Sequence, residues 1–193
     1  MDTANLSLPE YYINRELSRL AFNVRVLSQA KDERVPLFER LKCLCISSTN
    51  QDEFFEIRVS NMKQRLEVSS APAGPDNLSP AELLKTITAQ AHELVAEQYR
   101  VLNDELIPAL SDEGIRFVRR DQWTDQQREW LESYFRSEIV PVLSPTTLDL
   151  TRPIPRILNK SLNFIVSLRG RDVFGRPVQR AIVQAPRALP RLI

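Results

Sequence analysis

The sequence predicts an α+β fold that is mainly α: an N-terminal helical bundle followed by part of a mixed α/β head domain. Three observations carry this. Up to about residue 113 apolar residues recur every three or four positions, the period of one helix face. Near Gly114 that period gives way to alternation, the period of strands. The 193 residues, 42% of them hydrophobic, suffice for one domain or for a small domain and part of another. The two parts are placed at 1–113 and 114–193. The second ends straight after a hairpin, which is marginal alone, so it reads as truncated.

Residues 1–9 form a polar arm. Ile13, Leu17, Leu20, Ala21, Val24 and Leu27 predict a first helix, starting near Tyr12 or Asn14 and ending near Ala30. Lys31-Asp32-Glu33-Arg34 is a charged turn. Pro36 opens a second helix at its first position, where the missing N–H costs nothing. Leu37, Leu41, Leu44 and Ser48 mark the face of that helix. Phe55, Val59, Met62 and Leu66 mark a third, ending near Val68. Between them lie Ser47, Ser48, Thr49 and Asn50, small polar residues that favour helix ends. Asn50 and Glu53 have capping-box spacing. The pattern predicts a helical corner, with Asn50 as N-cap and Asp52 and Glu53 in the first turn, where their charge suits the helix dipole.

Residues 69–78 are broken by Pro and Gly and read as a loop. Ser79, Pro80 and Glu82 then form a helix start of cap, first residue and capping-box acid. The stripe Leu84, Ile87, Ala91, Leu94, Val95, Leu102 and Leu106 predicts one long helix over about 80–107, roughly 40 Å in length. Pro108 should end or kink it. Ile115–Val118 alternates like a short strand. Thr124 caps a helix whose apolar face holds Trp130, Leu131, Tyr134, Phe135 and Ile139. Pro141, Pro145, Pro153 and Pro155 keep the following chain extended. Residues 162–168 and 180–184 alternate as two strands around a hairpin loop at 169–177.

Little local chemistry is present. Cys43 and Cys45 lie two apart in a helix and point about 200° from one another, which suits neither a disulfide nor a shared metal. They read as small buried residues. His92, the single histidine, flanks the long stripe half exposed and has no catalytic pattern around it. The four glycines are too scattered for a phosphate loop. Asp52 and Glu53 are adjacent and face different ways, unlike carboxylates that share a substrate. No apolar run is long enough for a membrane span and no signal peptide is seen, which favours the cytoplasm, with peripheral membrane association left open. The net charge of +1 hides an asymmetry. Residues 151–193 hold nine basic side chains and one acid, a net +8, and residues 1–150 carry −7. Arginine-rich segments suit phosphate or carboxylate, and the acidic first part could equally neutralise this one. These residues suggest binding more than catalysis, so one reading is a non-catalytic helical interaction or polyanion-binding module.

Five segments taken in order carry a resemblance. Tyr12–Leu27, with Arg15-Glu16-Leu17-Ser18-Arg19-Leu20-Ala21-Phe22-Asn23 at its centre, resembles the opening of bacterial polyphosphate kinase. Pro36–Lys42 with Ser47–Arg58 resembles the family's second signature. Ser137–Pro145, Asn159–Phe164 and Ala185–Arg191 are similar to later ones. The resemblance implies an enzyme that transfers the terminal phosphate of ATP to polyphosphate through a phosphohistidine, with magnesium required. It implies a homodimer formed through the head domain and no nucleic acid partner. It also implies that the catalytic histidines and the magnesium ligands lie outside this chain, so that the chain alone is inactive. One site residue carries over, Asn50, as the nucleotide-binding asparagine. Arg19 and Gln51 depart from the family pattern, which commonly has an aromatic or apolar residue and a leucine there.

Overall fold

The computed structural model describes residues 5, 7–68, 74–148, 155–171, 175, 177–190, 192 and 193. They fold into two units, Met1–Phe117 and Val118–Ile193.

The first unit is helical. After a 3₁₀ turn at Pro9–Tyr11, α1 spans Arg15–Lys31 and α2 spans Leu37–Glu53. Asn14 caps α1: its side-chain oxygen accepts from the N–H groups of Glu16 at 2.9 Å and Leu17 at 3.2 Å. Pro36 stands one position earlier than expected, as the N-cap of α2. α3 (Ser60–Val68) follows α2 through a π-helical segment, Phe54–Val59. Of the expected loop 69–78, residues 69–73 lie outside the described residues. A turn follows at Gly74, with the Asn77 N–H donating to the Gly74 carbonyl at 3.2 Å. α4 (Pro80–Arg100) begins with the expected capping box of Ser79 and Glu82.

The expected corner at Asn50 is absent. Helical backbone runs unbroken from Leu37 to Val68, and Asn50 lies inside α2. Local preference lost to tertiary hydrogen bonding. Ser47 and Gln51 are buried and hydrogen-bond to other helices rather than to a helix end.

α4 passes into a second π segment, Val101–Leu106, and then into α5 (Ile107–Asp112). Pro108 therefore neither ends the helix nor breaks a regular interior. It enters at the start of α5, directly behind the π segment, where the normal i→i−4 ladder is already interrupted. α5 closes on a left-handed Gly114 (φ 84°), with Gly114 N–H bonded to Ser111 O at 3.0 Å and Ile115 N–H to Leu110 O at 2.8 Å. This is a Schellman stop. Ile115–Val118 is not a strand, because no neighbouring strand pairs with it among the described residues.

The π segments also moved the apolar stripes. An i→i+5 turn holds more than four residues, so buried positions become five apart. Phe54 and Val59 are both buried, as are Val101 and Leu106. A strict 3.6-residue period points to Phe55 instead, which is 37% exposed.

Paired side chains show that α2 runs antiparallel to α1 and to α4. Asn23 meets Ser47 and Arg40 meets Ala30; Gln51 meets Ala91 and Ser47 meets Gln98. Two apolar clusters result. One holds Leu27, Ala30, Leu44, Leu94, Val101 and Leu106; the other holds Leu20, Phe54, Val59 and Ile87. Buried polar residues lie between them in sequence: Asn23 between Leu20 and Leu27 on α1, and Ser47 and Gln51 between Leu44 and Phe54 on α2. Arg40 is buried too. Its Nε donates to the Ala30 carbonyl at 2.8 Å, and a terminal nitrogen pairs with Glu105 at 2.9 Å. The cysteines depart from expectation: Cys43 is half-buried against the first cluster, but Cys45 is exposed. His92 is exposed on α4.

The second unit begins with α6 (Asp125–Tyr134), capped as expected by Thr124 in a capping box with Gln127. A π segment (Phe135–Ile139) and a 3₁₀ turn (Val140–Val142) follow. β1 (Pro145–Thr147), where only extended chain was expected, joins β2 (Asn163–Arg171) and β3 (Pro177–Gln184) in an antiparallel sheet ordered β1-β3-β2. A register irregularity between Ser167 and Gly170 carries both strands further than expected toward the hairpin end. Pro153 lies outside the described residues. The architecture is the expected one, α+β and mainly α.

Candidate functional site

Residues of α1 and of the end of α2 border a cleft of about 390 Å³ in the helical unit. One wall is a face of α1: Arg15, Ser18, Arg19, Phe22, Asn23 and Arg25. The other is Asn50, Gln51 and Phe54. Helical periodicity explains the first set. Residues 15, 18, 19 and 22 follow three- and four-residue steps, so they share a face beside the buried stripe of Leu20, Asn23 and Leu27.

The chemistry of the walls is mixed. Phe22 is 51% exposed, and the Arg25 guanidinium sits 5.6 Å from its ring centroid. That spacing falls within cation–π reach. Arg15 is largely exposed, with one nitrogen 3.2 Å from Glu16. Arg19 stands 3.8 Å from Glu53, an exposed pair whose attraction water largely screens. Three guanidinium groups, a half-exposed phenylalanine and the carboxamides of Asn23, Asn50 and Gln51 therefore border one small opening.

Asn50, the one site residue expected from sequence, is half-buried in this wall. Its amide nitrogen donates to the Asn23 side-chain oxygen at 3.3 Å. Asn23 in turn donates to the Ser47 carbonyl at 2.8 Å, and the Ser47 hydroxyl accepts from the Gln98 amide at 2.8 Å. Because Asn50 is no N-cap, its oxygen is not used on a backbone N–H.

Arg19 and Gln51, where the resemblance leads one to expect an apolar residue and a leucine, both line the cleft. Gln51 donates to the Ala91 carbonyl at 3.2 Å, while its Oε1 is buried without a hydrogen-bond partner. A leucine there would leave no such orphan acceptor, which costs on the order of 1–3 kcal/mol.

Asn23, Phe22, Arg15 and Arg25 were not singled out from sequence. Asn23 carried a signal nonetheless: it stands three after Leu20 and four before Leu27, a polar residue at a stripe position. Among the described residues no group of three or more His, Cys, Asp or Glu side chains could hold a metal ion. No helix among them is long and apolar enough to cross a membrane.

Comparison with known proteins agrees along nearly the whole chain. The model of the polyphosphate kinase N-terminal domain matches residues 12–118, and that of the polyphosphate kinase middle domain matches residues 126–193. The chain is 52% identical over 182 residues to a polyphosphate kinase of Pseudomonas aeruginosa, covering 94% of this chain and 26% of that protein. It is 49% identical over 181 residues to one of Burkholderia cenocepacia, with the same coverage. The crystal structure of polyphosphate kinase from Porphyromonas gingivalis matches 94% of the chain and 26% of its own, with a TM-score of 0.75 at 26% identity. The chain thus spans about a quarter of the length of these relatives. Matched by two successive domains of one family, and folded like a solved member, the chain belongs to the polyphosphate kinase family.

Proposed function

We propose that these residues are part of an enzyme that transfers the terminal phosphate of ATP to polyphosphate through a phosphohistidine, and that this part holds the base end of ATP. The observation that carries the reading is the α1–α2 cleft with Asn50 in its wall. An asparagine carboxamide suits adenine, because it accepts from the exocyclic amino group and donates to a ring nitrogen at once. Phe22 offers a flat face for the base. Arg15, Arg19 and Arg25 surround the opening with positive charge suited to phosphates. In this reading phosphoryl transfer itself falls to residues outside this chain, as the family resemblance implies. Magnesium is likewise held elsewhere. Pairing of two copies through the head domain completes the proposed assembly.

The test is kinetic. In the complete enzyme Asn50→Ala is expected to raise the KM for ATP about tenfold, the loss of roughly one good polar contact. kcat should change little, because the base is remote from the transferred phosphate. An unchanged KM would contradict the contact, and polyphosphate synthesis by the 193-residue chain alone would contradict the division of labour.

A further inference from the structure

Asn50 does not choose the direction of its own carboxamide. The order of hydrogen bonds behind it does. The Ser47 carbonyl can only accept, so the Asn23 side chain must turn its N–H₂ toward it, at 2.8 Å. The Asn23 oxygen then faces Asn50, and Asn50 must turn its own N–H₂ inward, at 3.3 Å. Asn23 cannot easily reverse. It is 3% exposed, and a flipped amide would set its oxygen against the Ser47 carbonyl. Such a buried clash of acceptors is strongly disfavoured. Gln98 holds the Ser47 hydroxyl from α4, which fixes the back of the network. The Asn50 carboxamide has no other hydrogen bond among the described residues, so its oxygen and second N–H remain for the cleft it lines.

We infer that Asn23 is a positioning residue that fixes the Asn50 carboxamide oxygen toward the base, and so makes the cleft select a 6-amino purine over a 6-oxo purine. This rests on the proposed base contact of Asn50 and adds a cause for its direction. Adenine presents an amino donor and an unprotonated ring nitrogen, which match the oxygen and N–H of Asn50. A 6-oxo purine presents a carbonyl and a ring N–H, and both face a like group. Discrimination at such a paired contact is worth about five- to 150-fold.

Two measurements on the complete enzyme test this. The first needs no mutation. With ATP, purine riboside triphosphate (hydrogen at position 6) and inosine triphosphate as donors, the expected order of kcat/KM is ATP, then the 6-unsubstituted compound, then the 6-oxo compound. A 6-oxo compound better than the 6-unsubstituted one would mean that the amide N–H₂ faces the base, and would overturn the inference. The second compares Asn23→Leu, Asn50→Leu and the double variant. Each single change is expected to lower the preference for ATP over inosine triphosphate by about tenfold or more, and the double change to lower it no further. A merely structural Asn23 would lower stability and leave that ratio intact. If Asn50→Leu loses the ratio and Asn23→Leu keeps it, the base contact stands and the positioning role fails. If Asn50→Leu also keeps it, the base contact itself fails.

Discussion

Glu97 on α4 holds two cations at once. Its carboxylate accepts from Arg100 at 2.8 and 2.9 Å and pairs with Lys31 of α1 at 2.6 Å. The bonds from Arg100, and then that from Lys31, hold its pKa down to about 2. A carboxyl lowered by folding stabilises the fold above its unfolded value and loses that contribution as pH falls through the folded value. The helical unit should therefore lose this contribution between about pH 4.5 and pH 2. Glu97→Gln is expected to be less stable than the parent in urea at pH 6, with the gap closing at pH 2.5. A gap of constant size at both pH values would contradict the ion-pair origin. Other single residues were less legible in the sequence. Asn23, Ser47 and Gln51 sit at buried positions, and their partners lie 24 to 51 residues away in sequence. No local pattern reveals such partners, so Asn50 read as a cap when it is the outer end of a polar network. The expectation of a nucleotide contact came from resemblance, and its place in a cleft and its orientation only from the fold.

At the level of elements, starts and stops were the most legible features. Asn14, Ser79 and Thr124 cap their helices, because a cap needs only neighbours in sequence. Gly114 stops α5 for an equally local reason. Its φ of 84° is costly for any residue with a Cβ, although open space surrounds the position. Gly114→Ala should thus cost about 1 kcal/mol through backbone strain alone. Thermal unfolding measures it; no loss would mean that the Schellman stop is not formed. The continuations were illegible. The π segments at Phe54–Val59 and Val101–Leu106 carry the helix past the expected corner and toward Pro108. They arise where the packing of two clusters demands a shifted stripe, and a fixed 3.6-residue period cannot anticipate that. The exposure of the second unit was also unforeseen. Phe164, Ile165 and Trp130 follow the expected patterns, yet each is more than half exposed.

For the molecule as a whole, the two units differ in how much they bury. The helical unit contains both apolar clusters, whereas in the second unit Ala181 and Ile182 are buried and β2 is almost wholly exposed. Protection from exchange follows burial and cooperative packing, so α1, α2 and α4 should hold the slowest amides and β2 much faster ones. We propose that the helical unit carries the base end of the ATP site in its α1–α2 cleft. Amide hydrogen exchange of the 193-residue chain, with and without ATP, checks this. The expected result is added protection with ATP around Phe22 and Asn23 in α1 and around Asn50 in α2, on top of an already protected helical core. Protection gained only beyond Val118, or none at saturating ATP, would contradict it.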